Sequence, residues 1–324
     1  MLLLAAVAIV LGPYRLAPGE VIAFLAAKAT GAASPLPAPA AAVILQIRLP
    51  RVVAATAIGA ALAASGAAYQ SLFRNPLVSP DILGVSAGAA FGAVVGIFLS
   101  LPVLGIEAAS FAGGLAAVAV VYAIAAAIRD RDAVLVLVLA GVVIGALFGA
   151  GVGLLKYLAD PYNQLPAITF WLLGSLAAVN PGDLVSLVPA VAVGLVPLAL
   201  LRWRIDVMTL GEEEATALGL DTRMLRIVVI AAATLMTSAA VAASGIIGWV
   251  GLVIPHLARL TVGPAFNRLL PVSVLFGAGY LLAVDTAART LGHVELPLGV
   301  LTAALGTPVF LLLLAFGRRR SVWS

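Results

Sequence analysis

The stretch AVLVLVLAGVVIGALFGAGVGLL, from Ala133 to Leu155, contains neither a charged nor a polar side chain. A helix needs about 20 such residues to cross the roughly 30 Å hydrocarbon core of a bilayer. Apolar stretches of this kind recur along the 324-residue chain, whose mean hydropathy is +1.19, and they lack the two-residue alternation of an outer-membrane barrel. We therefore predict an all-α membrane protein in which residues 1–324 form one polytopic transmembrane domain.

Polar residues, prolines and glycines divide the chain into ten candidate transmembrane helices. The eighth is short and contains Pro255, which a membrane helix tolerates where neighbouring helices satisfy the freed backbone carbonyl. The predicted spans are Met1–Leu11, Val52–Ser71, Leu83–Leu101, Ala108–Ile128, Ala133–Leu155, Leu184–Leu201, Leu225–Ala243, Ile246–Leu260, Leu269–Ala287 and Leu296–Phe316.

The composition excludes several kinds of site and partner. The chain has no cysteine, so it has neither a disulfide framework nor a thiolate ligand. Its two histidines, His256 and His293, are too few for a metal cluster, and we expect no metal or cofactor in this chain. The net charge of +4 is expected to orient the chain in the membrane and not to bind nucleic acid. Neither lysine completes a Walker A motif, so if ATP drives this protein, another chain must bind the ATP and its magnesium.

The distribution of basic residues predicts the orientation of the chain. With ten spans both termini lie on one side, and cytoplasmic termini place twelve basic residues inside and six outside. Three of the outer residues, Arg48, Arg51 and Arg289, lie at helix ends and run against the inside preference for positive charge. The predicted inner residues are Arg74, Arg129, Arg131, Arg202, Arg204, Arg223, Arg226, Arg259, Arg268, Arg318, Arg319 and Arg320.

The sequence GEEEATALGLDTRMLR, from Gly211 to Arg226, is a polar island in this apolar chain, and we call it the polar segment. Gly219 suits the left-handed cap at the end of a short helix, and Asp221 can cap the helix that follows. Three carboxylates suit the positive N-terminus of the first helix: Glu212, Glu213 and Glu214.

Two residues of that predicted first helix, Ala215 and Leu218, are three positions apart and are therefore expected to share one face. Such a face can fill a groove on a partner protein. The alternative is a solvated loop, which charge-rich segments commonly form. A metal site made by the three consecutive glutamates is disfavoured, because successive helical positions point about 100° apart.

Two rows of glycines have the four-residue spacing that places them along one face of a helix. For the row in the third predicted helix we favour simple helix packing: Gly84, Gly88, Gly92 and Gly96. For the row in the fifth helix, packing and the lining of a passage are equal alternatives, and Gly151 adds a bare position beside it. That row consists of Gly141, Gly145, Gly149 and Gly153.

Two further function classes depend on single residues. The sequence GVSAG, Gly84–Gly88, matches a serine nucleophile motif around Ser86, yet that motif requires a preceding strand and here it opens a transmembrane helix. His256 has no carboxylate nearby in sequence to orient it as a base. For an ion-coupled carrier Asp285 is the best candidate, but Arg289 four residues later favours an internal ion pair. We therefore disfavour an intramembrane serine hydrolase and an ion-coupled carrier.

Four blocks of sequence, in the same order, resemble the BtuC/FecCD family, the permease subunits of bacterial ABC importers for ferric siderophores, haem and vitamin B12. The resemblance extends from about Arg48 to Arg320. The blocks are RLPR at Arg48–Arg51, SGAAYQSLFRNPLVSPDILGVSAGA at Ser65–Ala89, GWVGLVIPHLAR at Gly248–Arg259 and ELPLGVLTAALGTPVFLLLL at Glu295–Leu314.

The resemblance implies a homodimer of ten-helix subunits that works with two cytoplasmic ATPase subunits and an external substrate-binding protein. It implies that a pair of short helices, within about residues 206–226, docks in the ATPase. The implied contact residues are Glu212, Glu213, Glu214, Ala215, Leu218 and Gly219.

The same resemblance implies roles for other parts of the chain. The turn RDRDAV is implied to close an inner gate at Ala133 and Val134. The outer arginines are implied to meet acidic residues of the binding protein: Arg48, Arg51 and Arg289. The fifth helix is implied to line a central passage through Gly141, Gly145, Gly149 and Gly153.

These observations together predict the permease subunit of an ATP-driven importer, a multi-pass protein of the cytoplasmic (inner) membrane of a bacterium. The predicted cargo is a metal chelate, moved by alternating access, and the chain itself is expected to have no catalytic site. A molybdate- or tungstate-type oxyanion is the alternative cargo. The predicted passage offers neither a series of metal ligands nor a mid-helix arginine, so we expect the binding protein to select the cargo.

Overall fold

The computed structural model describes residues 1–12, 14–128, 133–292 and 294–317, and within these ranges the chain consists of helices and connecting turns without a β-strand. A π-helical stretch, Val43–Arg48, joins α3 to α4, and a 3₁₀ turn, Pro80–Leu83, precedes α5. The α-helices are α1 (Leu2–Val10), α2 (Pro18–Thr30), α3 (Ala38–Ala42), α4 (Leu49–Leu72), α5 (Val85–Phe98), α6 (Val103–Ala127), α7 (Ala133–Leu158), α8 (Gln164–Leu173), α9 (Pro181–Leu200), α10 (Arg202–Met208), α11 (Glu212–Ala217), α12 (Thr222–Ser244), α13 (Val250–Val262), α14 (Phe266–Ala288) and α15 (Leu298–Gly317).

Each of the ten predicted apolar stretches coincides with a helix, with ends that differ by a few residues. The largest difference is at the second span, where α3, the π-helical stretch and α4 form one helical run of 35 residues. Among the described helices of ten or more residues, two were missed. The first, α2, contains Glu20 and Lys28, and the second, α8, has only ten residues and includes Pro166, so neither resembles a complete span.

Within the described residues, six helical segments are long and apolar enough to cross a membrane, and four shorter helices are also apolar. The chain is therefore a multi-pass membrane protein. The number of crossings per subunit stays a prediction, because length and composition alone do not distinguish a short span from a re-entrant helix.

The helix α4 forms the centre of the bundle, packed against α12, α13 and α14. Glycines permit this packing. Gly59 lies against Gly277 of α14 and Gly66 against Gly251 of α13, so closely that a methyl group at Gly59 or Gly66 would overlap the facing carbonyl. Such close approach of backbones is typical of packed membrane helices, where the gain comes from van der Waals contact.

Three glycines of the predicted row, Gly88, Gly92 and Gly96, pack against α6, as predicted, whereas Gly84 lies just before α5 and faces α7. A methyl group at Gly88 would overlap the carbonyl of Gly113, and one at Gly92 would overlap the carbonyl of Ala109. At Gly88 and Gly92 the row therefore serves helix packing.

The helix α4 connects two polar ends of the bundle. Arg51, in its first turn, lies 2.5 Å from Glu295, and Arg74, just beyond its last turn, lies beside Gly211 of the polar segment. The neighbouring helix α14 runs the opposite way and reaches Arg289 at its C-terminus. We call these regions the arginine end and the polar-segment end.

Candidate functional site

The polar segment folds locally as its sequence predicts. The helix α11 begins at Glu212, and Gly219 has a φ of +81°, a left-handed conformation that a side chain would strain. The carboxylate of Asp221 accepts a hydrogen bond of 2.9 Å from the backbone N–H of Met224 and so caps α12. These local features depend on residues only a few positions apart, which is why the sequence predicts them.

Glu212 connects α11 to α12. Its carboxylate lies 2.8 Å from the guanidinium of Arg226 and accepts a hydrogen bond of 3.2 Å from the hydroxyl of Thr222. The Glu212 side chain is about half exposed, so the pair contributes at most about 1 kcal/mol to stability. Its role is geometric: it holds α11 at a defined position relative to α12. Glu213 and Glu214 are exposed.

The two residues predicted to form one partner-facing surface are separated by the fold. Leu218 is 67% exposed, whereas Ala215 is fully buried in the hydrophobic core. The prediction is therefore wrong for Ala215. The six-residue helix α11 packs against α10 and α12 through its smallest side chain, which leaves only Leu218 of the pair available to a partner.

Asp206 in α10 caps a helix that is remote in sequence. Its carboxylate accepts hydrogen bonds from the backbone N–H groups of Phe266 and Asn267, the latter at 3.3 Å, at the start of α14. The residue that precedes α14 is Ala265, which offers no capping side chain. Asp206 therefore links the region of the polar segment to α14, and sequence spacing gives no signal of a link across 60 residues.

The arginine end contains a buried ionic network. Arg51 lies 2.8 Å from Asp285 and 2.5 Å from Glu295, and Arg289 lies 3.6 Å from Asp285. The predicted pair of Asp285 and Arg289 is thus present, but Arg51 is the closer partner. Glu295 was missed, because it lies in a loop 244 residues from Arg51.

The other two arginines bind the C-terminus of α1. Arg48 donates hydrogen bonds to the carbonyls of Ile9 (2.6 Å) and Val10 (2.8 Å) and to that of Tyr14, and Arg289 donates to those of Leu11 (2.9 Å) and Ala8. Carbonyls in the last turn of a helix have no intrahelical donor and carry partial negative charge, so guanidinium groups suit them.

The expectation of an exposed basic patch at the arginine end is therefore wrong. Arg48, Arg51 and Arg289 do come together, yet each is at least nine-tenths buried. Their charges are directed at internal carboxylates and carbonyls. The physical reason is that a buried guanidinium needs partners for its donors, and the chain itself provides them in Asp285, Glu295 and α1.

The helix α7 is the most open of the long apolar helices. Of the 18 residues that form its most apolar stretch, only 17% are buried inside the chain. Along its glycine row, Gly141 packs tightly against the 3₁₀ turn, and a methyl group added at Gly145 would lie about 4.0 Å from Ala87. A side chain added at Gly149 or Gly153 would meet no atom within 4 Å.

Comparison with known proteins identifies the family to which this chain belongs. The model of the FecCD transport family matches residues 1–316. The chain belongs to the FecCD transport family. Proteins of this family are permeases of ABC transporters. The relatives of this FecCD permease are named for different cargoes.

The molybdate import system permease protein MolB of Haemophilus influenzae is 40% identical over 96% of this chain and 91% of its own length. The cobalamin import system permease protein BtuC of Halobacterium salinarum is 41% identical over 86% of this chain and 75% of its own. A solved transporter assigned to the metal-chelate type of ABC transporters, in an inward-facing conformation, is 37% identical and superimposes with a TM-score of 0.86 over 97% of this chain and 96% of its own.

The predicted gate of this FecCD permease lies at the start of α7. Residues 129–132 of the turn RDRDAV are outside the described residues, as is the side chain of Ala133. Val134 is partly buried and packs against the hydrophobic core. The gate role of Ala133 and Val134 stays a prediction.

Ser86 of this permease lies in the first turn of α5, after a 3₁₀ turn and not after a strand. Its hydroxyl donates to the carboxylate of Asp81. In the part of the chain that the structure describes, no three His, Cys, Asp or Glu side chains come together in a way that could hold a metal ion. The geometry thus gives Ser86 a carboxylate partner and not the histidine that a serine nucleophile needs.

Proposed function

We propose that this chain is the permease subunit of an ATP-driven importer that carries a metal chelate across the cytoplasmic membrane of a bacterium. Two copies form the permease, two ATPase subunits bind ATP and magnesium in the cytoplasm, and an external binding protein delivers the cargo. The dimer alternates between outward and inward openings. The chain itself contributes no catalytic residue.

The open face of α7 is the observation that carries this proposal. The face of α7 with bare positions at Gly149 and Gly153 and with large exposed side chains such as Leu147 (65%) is left uncovered by the described residues of its own chain. A second copy can cover the large apolar side chains, while the bare positions leave room for a passage. Described residues of α7 before Lys156 carry no charge, so this face provides little selectivity.

The polar segment is proposed to bind the ATPase through Leu218. Leu218 is 67% exposed and directly follows α11, which the Glu212–Arg226 pair holds against α12, so it forms an apolar projection that suits a groove on a partner. Leu218→Asp should weaken the ATPase contact by about 2–4 kcal/mol, because a charge would enter an apolar contact.

Co-purification with the ATPase and ATP hydrolysis coupled to transport measure this effect. Leu99→Asp is the matched control, since Leu99 is 61% exposed and lies outside the polar segment. A Leu218→Asp permease that assembles and couples like the Leu99→Asp control contradicts the proposed contact.

Docking of the binding protein is proposed to depend on the shape of the arginine end more than on free charge. Arg48, Arg51 and Arg289 hold α1, α4 and α14 together there, and their donors are engaged internally. Docking should accordingly depend only weakly on salt, because exposed charge pairs are the ones that ions screen. Binding kinetics at low and high salt measure this dependence.

A tetrahedral oxyanion is the second candidate cargo, because the relative from Haemophilus influenzae that matches 96% of this chain is named for molybdate import. The decisive experiment is a binding assay with the partner binding protein, with ferric chelates, cobalamin and molybdate side by side. Tight binding of a chelate supports the proposal, and tight binding of molybdate alone contradicts it.

A further inference from the structure

Asp81 is a carboxylate on an exposed surface at membrane depth. It lies in the 3₁₀ turn Pro80–Leu83 and is exposed, whereas the flanking Pro80 and Leu83 are buried. Ser86, in the first turn of α5, donates its hydroxyl hydrogen to the Asp81 carboxylate. The pair thus presents a carboxyl group and a hydroxyl together, outside the networks described above.

Contacts of the 3₁₀ turn show how deep it lies. The Ile82 carbonyl packs against Gly141, eight residues into α7, and Pro80 packs against Gly251, whose other neighbour is Leu62. At 1.5 Å per residue, Gly141 is roughly 12 Å along α7 from its start and Leu62 is roughly 15 Å from the end of α4. The turn therefore re-enters the bundle by a substantial fraction of the membrane thickness.

An exposed carboxylate at this depth faces lipid, another protein surface or water. Contact of a carboxylate with lipid costs free energy, and ionisable groups inside membranes almost always face the bundle interior or a water-filled cavity. The turn also packs on the same glycine row of α7 whose later positions, Gly149 and Gly153, are open. The polar pair thus adjoins the surface that the proposed function assigns to the passage.

We propose that Asp81 and Ser86 form a cation-favouring site in the translocation passage, so that the permease passes uncharged or cationic metal chelates in preference to oxyanions. This inference rests on the proposed function. Two copies of the chain bring two such carboxylates to the passage. A tetrahedral oxyanion would meet repulsion from both, whereas the hydroxyl of Ser86 and the carboxylate of Asp81 can accept hydrogen bonds from a chelate that carries amide or ammonium donors.

The absence of cysteine from the chain permits a test that needs no knowledge of the cargo. A Ser86→Cys permease in lipid nanodiscs, which expose both membrane faces, is treated with a cationic trimethylammonium-ethyl thiosulfonate or an anionic sulfonatoethyl thiosulfonate. Both reagents need water and an ionised thiol. We expect the thiol of Ser86→Cys to react with both reagents and faster with the cationic one. The ratio of the two rates should fall roughly tenfold when Asp81→Asn is added, because a unit charge close by acts oppositely on the two reagents.

A Gly149→Cys permease is the control for the passage itself, with the same two reagents. If Gly149→Cys reacts while Ser86→Cys does not, or if Asp81→Asn leaves the rate ratio of Ser86→Cys unchanged, this inference is overturned and the proposed function stays intact. An unreactive thiol in Gly149→Cys contradicts the proposed passage, and with it this inference. If Ser86→Cys does not fold, Asp81→Cys serves as the reporter of water access, and an unreactive thiol there also overturns the inference.

Discussion

The helices α4 and α7 are both long, apolar and rich in small residues, yet the fold uses them in opposite ways. In the helical run that contains α4, 83% of the most apolar 18-residue stretch is buried inside the chain, against 17% of the corresponding stretch of α7. The glycines of α4 face carbonyls of α13 and α14, whereas Gly149 and Gly153 of α7 face open space. Glycine in a membrane helix therefore marks a position without a side chain, and only the neighbouring helices determine what that position does.

The ends of the two helices differ in the same sense. The N-terminal end of α4 contains Arg48 and Arg51, both buried and bound by internal partners. The last turn of α7 contains Lys156, which is only partly buried, and Tyr157, which is 86% exposed. The charges at the end of α4 are bound by groups of the same chain, whereas most of the apolar surface of α7 is exposed. An exposed apolar surface of this kind suits contact with another protein or with lipid.

The largest effect is expected for Gly66→Leu, at the closest contact of α4. The new side chain would overlap the backbone of Gly251, which cannot move without displacing α13. We expect a loss above about 5 kcal/mol, enough to prevent folding. The yield of monodisperse permease from membranes measures this loss. Normal yield and unchanged thermal unfolding would show that α4 is not the packing centre.

A smaller loss of stability is expected for Arg51→Ala, at the arginine end of α4. This change leaves the buried carboxylate of Asp285 without its closest partner, at a cost of about 3–5 kcal/mol. Thermal unfolding of the purified permease measures the loss, and adding Asp285→Ala should recover part of it, because the unpaired charge is removed. An Arg51→Ala permease as stable as the unaltered chain would contradict the buried network.

Asp206→Ala is expected to cost about 1–2 kcal/mol, because two backbone N–H groups of α14 lose their acceptor. Asp206→Asn should cost less, since an amide oxygen still accepts. Asp221→Ala is the matched control, as it removes a cap within the polar segment and leaves the link to α14 intact.

If Asp206 transmits movement from the polar segment to α14, its replacement should lower the amount of cargo moved per ATP hydrolysed, and the Asp221→Ala control should retain the normal ratio. If both variants move the same amount of cargo per ATP hydrolysed, Asp206 acts only as a helix cap.

The smallest effect on stability, and a complete effect on transport, is expected for Gly149→Leu in α7. The new side chain meets no atom of its own chain, so the change in unfolding free energy should be within about 0.5 kcal/mol. Transport should fail while the permease still assembles with its ATPase, because the bulk enters the proposed passage. Loss of dimer assembly would indicate that this face only packs, and unchanged transport would exclude both roles.

Local patterns determined the fold class and the boundaries of most helices. Long apolar stretches have no stable alternative to a helix in lipid, and caps such as Gly219 and Asp221 act within a few residues. The four sequence blocks also pointed to the FecCD family, which the match over residues 1–316 shows. Where the controlling interaction is short in sequence, composition and spacing are sufficient.

Only the tertiary structure decided which predicted site residues are available to a partner. Arg48, Arg51 and Arg289 have the charge expected of a docking surface, but partners far away in sequence hold them inside. Ala215 is drawn inward by α10 and α12 while Leu218, three residues later, stays exposed. The physical reason is the same in each case. The burial of a side chain depends on which elements pack around it, and the spacing of residues along the sequence does not show which distant elements those are.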